Sequence, residues 1–141
     1  MADVGRLILL VEDDPDHELL TIRALKKSDI ANHIKVAHDG EEAIDLLFGP
    51  TPIRPQVILL DLKLPKIDGL EVLRRIRGSD STRMLPVVVL TSSDEERDVV
   101  RSYQIGVNSY IRKPVNFDDF AEATRQFGMY WLVLNECPPK S

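Results

Sequence analysis

Short apolar runs alternate along the chain with longer stretches in which apolar residues return every three or four positions. The runs lie at 6–11, 34–37, 56–60, 85–90 and 106–111, and their length and Val/Ile content predict strands. The intervening stretches predict helices over 15–27, 41–48, 69–77, 95–105 and 117–134. In the first helix Leu19, Ile22 and Leu25 form the apolar side, while Arg23, Lys26 and Lys27 face outward. Ala43, Ile44, Leu47 and Phe48 do the same for the second. Leu70, Leu73 and Ile76 serve the third, with Arg74, Arg75 and Arg77 on the solvated face.

Punctuation residues support these limits. Asp14 suits an N-cap and Pro15 a first helical turn. Asp39-Gly40 turns the chain into the second helix, and Gly49-Pro50 with Pro52 ends it. Ser93 or Asp94 suits the cap of the fourth helix and Asn116 that of the fifth. The run at 56–60 is nearly all apolar, as a parallel strand covered on both faces requires. Alternation of five strands with five helices, joined by right-handed crossovers, predicts an α/β doubly wound parallel sheet. Alternation alone leaves the strand order open. The first strand–helix junction reads VEDDPDH, without the glycines that cradle a nucleotide phosphate.

Composition narrows the function classes. The chain of 141 residues suits a single domain, with a core over about 6–134 and a short tail at 135–141. A formal charge of −5 carries no nucleic-acid footprint. Cys137 is the sole cysteine, so no internal disulfide forms. No stretch reaches the roughly 20 apolar residues that cross a membrane, no secretion signal is visible, and a cytoplasmic location is expected. His33, His38 and Cys137 lack the clustering of a zinc site. His17 reads as a solvated histidine at a helix start.

The chemistry lies at the strand ends. Glu12 and Asp13 follow the first strand, Asp61 the third, Thr91 the fourth and Lys113 the fifth. A parallel sheet gathers these loops along the edge where open α/β sheets bind ligands. Clustered carboxylates repel one another unless a proton or a cation intervenes. Mg²⁺ fits carboxylates and a phosphoryl group. Asp61 can attack phosphorus and become an aspartyl phosphate, with Mg²⁺ and Lys113 neutralising the phosphoryl oxygens. The Thr91 hydroxyl can donate to one of them. The reading is a phosphorylation switch.

Taken together, ILLVED, Asp61-Leu62-Lys63-Leu64-Pro65 with Asp68-Gly69, Thr91 and Lys113 make residues 7–127 resemble the receiver domain of two-component response regulators. The resemblance implies a flavodoxin-like fold with strand order 2-1-3-4-5. It implies Asp61 as phosphoacceptor for a sensor histidine kinase or a phosphotransfer histidine. It implies Mg²⁺, or Mn²⁺, held by Asp13, Asp61, the Lys63 backbone carbonyl and, through water, Glu12. It assigns Thr91 as switch hydroxyl, Ser92 as the small residue admitting the phosphoryl group, Lys113 as phosphate contact and Tyr110 as switch aromatic. The residues that modulate phosphate lifetime are then Lys63 and Ser93, which predicts slow to moderate hydrolysis. Self-phosphorylation from small donors and autodephosphorylation follow from the same resemblance, so the chain is not expected to be a conventional turnover enzyme.

No output domain is expected after the last helix, and the output is expected through a contact surface, to an unidentified downstream protein, or as a phosphorelay intermediate. FGMYWLVL carries more apolar residues than one helix face accommodates, which favours a homodimer through Phe127, Tyr130, Trp131 and Leu134 over packing of the helix end on its own domain or kinase or effector binding. The GPTPIRPQ loop, the VEDDPDHELLTIRALKKSDIANHIKVAHDGEEAIDLLF segment and the YWLVLNECPP ending resemble receivers that serve bacterial and cyanobacterial phytochrome histidine kinases. That implies a phytochrome-type kinase as donor, while the charge and the lack of a membrane-length run predict no nucleic acid and no membrane as partner. The competing readings are a constitutive binding module and a small phosphohydrolase. The second needs a substrate cap and a further acid, neither of which is evident.

Overall fold

The computed structural model describes residues 7–26, 33–91 and 96–126. Its elements are β1 (Leu7–Val11), α1 (Pro15–Lys26), β2 (His33–Ala37), α2 (Gly40–Phe48), β3 (Val57–Asp61), α3 (Gly69–Arg77), β4 (Val87–Thr91), α4 (Glu96–Ile105), β5 (Ser109–Arg112) and α5 (Phe117–Gln126). The strands form one parallel sheet in the order β2-β1-β3-β4-β5. This is the order that the family resemblance implied.

Side chains alternate across each strand, so the sheet feeds two cores. Ile8, Leu10, Leu59, Val88 and Leu90 pack with Leu25 of α1 and with Phe120, Ala121 and Ala123 of α5. Leu9, Val11, Ile58, Leu60 and Val89 pack with Ala43 and Leu47 of α2 and with Val72, Leu73 and Ile76 of α3. Every residue of β3 is buried, as its unbroken apolar sequence predicts for the middle of the sheet.

Two caps follow the expected chemistry. Asp14 Oδ1 accepts from the Asp16 and His17 N–H groups at 2.8 and 3.2 Å. Asn116 Oδ1 accepts from the Asp119 N–H at 2.8 Å. The predicted caps Ser93 and Asp94 lie outside the described residues, as do Phe127, Tyr130, Trp131, Leu134 and Cys137.

Three local expectations change. Leu19 is exposed, and the buried positions of α1 are Thr21 and Leu25. Steps of three residues fall short of a full helical turn, so Leu19 lies about 120° round the helix from Leu25. The strand predicted over 106–111 begins only at Ser109. Gly106 instead closes α4, at a φ of 112° that suits glycine, with its N–H bonded to Ser102 O at 3.0 Å.

Arg77 is the third correction. Rather than joining a solvated face, its guanidinium donates to Gly106 O (2.6 Å), Arg83 O (3.1 Å), Leu85 O (2.8 Å) and Asn108 Oδ1 (2.9 Å). Asn108 Oδ1 also accepts from the Val87 N–H at 2.8 Å, so one side chain ties α3 to the starts of β4 and β5. Arg77→Ala is expected to lower stability to urea by about 2–4 kcal/mol, because it leaves several carbonyls without donors. Arg77→Lys is expected to recover little, since an ammonium cannot reproduce the fork. An unchanged unfolding midpoint for Arg77→Ala would contradict this role.

Candidate functional site

The site forms where β1, β3 and β5 end. Glu12 follows β1, and its N–H bonds Ala37 O at 2.9 Å, extending the β1–β2 ladder by one residue. The ladder fixes the backbone, and alternation then turns the Glu12 side chain inward while Asp13 faces solvent. Asp61 is the last residue of β3, and it is buried. Lys113 directly follows β5, at a cis Lys113–Pro114 bond, with a side chain only 6% exposed.

Lys113 Nζ lies 2.7 Å from Asp61 Oδ2 and 2.5 Å from Glu12 Oε1. The other Asp61 oxygen accepts from the Lys63 N–H at 3.0 Å, which folds the β3–α3 loop back over the carboxylate. Gly69 completes the floor. A Cβ there would lie 2.5 Å from Leu62 Cα and would also collide with the Asp61 carbonyl oxygen, so only glycine lets α3 start this close to β3.

Oxygens of Glu12, Asp13 and Asp61 lie within 4.8 Å of one another. Glu12 Oε1 is fully buried and, despite its closeness to Lys113, has no well-directed hydrogen bond. Three convergent carboxylates, one holding an orphaned buried oxygen, fit a divalent cation, whose charge would offset what the single lysine leaves uncompensated. The donor set is all oxygen, which suits Mg²⁺ or Mn²⁺ over a thiolate-seeking metal.

Electrostatics record the same crowding. Burial is the main force raising the Glu12 carboxyl from 4.5 to about 7. Lys113 opposes the rise and the Asp61 carboxylate adds to it. Burial works to lower the Lys113 value, but its hydrogen bond to Asp61 and its pairing with the Glu12 carboxylate outweigh that and the net shift is upward. A carboxyl raised in the folded state stabilises the fold fully below about pH 4.5, and this contribution is lost as pH climbs through about 7. The metal-free protein is therefore expected to become less resistant to urea between about pH 4.5 and 7, and a divalent cation to flatten the profile. Stability that stays level or rises over that interval without metal would contradict the assignment.

The remaining predicted residues divide. Thr91 ends β4 in register with Arg112, on the same sheet edge as Asp61, while its hydroxyl lies outside what the structure describes. Ser92 and Ser93 lie outside the described residues. Tyr110 is exposed on β5, its ring edge-on to Tyr103 with centroids 6.0 Å apart. His38 pairs with Glu18 at 3.1 Å, away from the cluster.

The contact that sequence reasoning missed at the site is that of His17. Its side chain is partly exposed, yet its Nδ1 lies 3.2 Å from Lys113 Nζ, so it also borders the site. A histidine in the first turn of the helix that follows the acidic loop was a signal for this. The contact itself depends on the fifth strand end, 96 residues away.

A family model for the response regulator receiver domain matches residues 8–125. The chain belongs to that family. Phosphorylation of an aspartate is general to receiver domains, and this receiver carries its carboxylate cluster at the β1 and β3 ends. It is 42% identical over 135 residues to the probable methanogenesis regulatory protein FilR2 of Methanothrix harundinacea, covering 94% of this chain and 87% of that protein. It is 39% identical over 138 residues to the response regulator Rcp1 of Synechocystis, covering 94% and 93%. The Mn²⁺-bound structure of Rcp1 superposes with a TM-score of 0.76 at 37% identity, over 96% of this receiver and 100% of that chain. The bacteriophytochrome response regulator AtBRR superposes with a TM-score of 0.82 at 51% identity, over 94% and 99%. Among the described residues no helix is long and apolar enough to cross a membrane.

Proposed function

We propose that this receiver is a response regulator that takes a phosphoryl group onto Asp61 from a phytochrome-type histidine kinase. The observation that carries the acceptor assignment is the placement of Asp61. It is buried at the end of the central strand, with one oxygen on the Lys63 N–H and the other on the Lys113 ammonium beside the acid cluster. An Asp61 oxygen attacks phosphorus, a P–O bond forms and the P–N bond to the donor imidazole breaks. Lys113 then turns from the Asp61 carboxylate to a phosphoryl oxygen. Asp13, Asp61 and the Lys63 carbonyl would hold Mg²⁺, with Glu12 acting through water. The cation supplies charge neutralisation at the phosphoryl oxygens.

The output in this reading is a shift in the α4–β5–α5 surface. Thr91 draws toward the phosphoryl group and Tyr110 leaves its exposed place. That movement gives up the edge-on contact with Tyr103, which costs about 1 kcal/mol, a small bias for a phosphate contact to overcome. A homodimer through Phe127, Tyr130, Trp131 and Leu134 remains part of the proposal.

The 51% identity to AtBRR, against 42% to FilR2, supports a phytochrome-type donor over other kinase classes. Transfer from purified, autophosphorylated kinases tests this. A phytochrome-type kinase is expected to lose label to Asp61 within seconds to minutes, with kinases of other sensor classes much slower. Equal transfer from all of them would remove the phytochrome assignment.

A further inference from the structure

A lysine ammonium carries three protons and accepts none. That of Lys113 faces three acceptor atoms: Glu12 Oε1 at 2.5 Å, Asp61 Oδ2 at 2.7 Å and His17 Nδ1 at 3.2 Å. Two belong to the acid cluster, and the third comes from α1. Because the ammonium can only donate, Nδ1 of His17 accepts, and the neutral ring carries its proton on Nε2. Nε2 is the nitrogen turned toward Asp14 Oδ2, 3.8 Å away. Asp14 is itself held by capping α1, so its carboxylate favours this tautomer from a fixed place.

We propose that His17 is a positioning residue for phosphoryl transfer: it anchors the Lys113 head at the rim of the site, against the pull of Glu12 and Asp61. This rests on Asp61 being the acceptor. The two carboxylates draw the ammonium inward, and Glu12 is fully buried. When Asp61 becomes an acyl phosphate it loses its pairing charge, and Lys113 must reach outward to a phosphoryl oxygen. A head already bonded to α1 has a short path there. One released from His17 is left held by Glu12 alone once the Asp61 charge is gone. The space beside it is a cavity of about 170 Å³ lined by Leu20, Thr21, Pro114 and Val115 along with His17 and Lys113. This mainly apolar wall offers the ammonium little to replace the imidazole.

The test uses the full chain with Mg²⁺, acetyl phosphate as donor, and the ¹⁵N resonance of the Lys113 ammonium in the unphosphorylated protein. His17→Ala is expected to speed exchange of the Lys113 ammonium protons with water and to slow phosphorylation of Asp61 roughly fivefold. His17→Asn places an amide oxygen near the position of Nδ1 and is expected to recover most of both losses. A small donor removes any effect of α1 on kinase docking. If His17→Ala changes neither readout, or if His17→Asn behaves like His17→Ala, the positioning role is wrong. If wild type takes no phosphoryl group on Asp61, the functional reading fails, and the Lys113 resonance alone then decides whether His17 anchors the lysine.

Discussion

Asp13→Asn is expected to weaken divalent-cation binding roughly 100-fold and to slow phosphorylation by acetyl phosphate in the same proportion at limiting Mg²⁺. Asp13 is the exposed member of the carboxylate trio, so its replacement removes a charge from the cation without opening a cavity or stranding a buried partner. Stability to urea is expected to hold or rise in the metal-free protein, because one source of repulsion near Glu12 and Asp61 disappears. The combination is diagnostic. A residue needed for folding loses binding and stability together, whereas a cation ligand loses only the first. Titration with Mg²⁺, followed by phosphorylation at limiting and saturating metal, separates these outcomes. Wild-type affinity in the variant would remove Asp13 from the cation site.

Lys113→Met is expected to destabilise the metal-free protein by about 3 kcal/mol at pH 8. The methionine fills a similar volume, but Glu12 and Asp61 lose the cation that lies 2.5 and 2.7 Å from them. The cost is expected to shrink at about pH 6, where Glu12, already raised to about 7 with the lysine present, takes up a proton. Mg²⁺ is expected to restore much of the loss at pH 8, since it replaces the missing charge. Under the proposed function Asp61 is still expected to accept a phosphoryl group in this variant, with its phosphate lacking the ammonium contact. Urea unfolding at the two pH values, with and without Mg²⁺, checks the sign. A variant as stable as wild type at pH 8 would mean that the acids do not depend on Lys113.

The acid cluster was legible in the sequence because each of its members sits at the end of a short apolar run. A parallel sheet places such ends on one edge whatever its strand order. Order itself was legible only through the family resemblance. The unequal fates of Glu12 and Asp13 were harder to see, since both follow the same strand and only alternation across the ladder buries one of them. Leu19 was misplaced because a three-residue spacing drifts round the helix, and the core took Thr21 with Leu25 instead. Arg77 and His17 share one cause of error. Each carries a polar head that suits solvent locally, and each finds its partners in loops remote along the chain, at Gly106 and Asn108 for the first and at Lys113 for the second. Local periodicity carries no information about such contacts.

The proposed function stands on Asp61 as the phosphoryl acceptor, and intact mass after incubation with Mg²⁺ and acetyl phosphate addresses it most directly. Wild type is expected to gain one phosphoryl group, Asp61→Asn none, and wild type without a divalent cation almost none. Equal gain by wild type and Asp61→Asn would place the phosphate elsewhere and contradict the account.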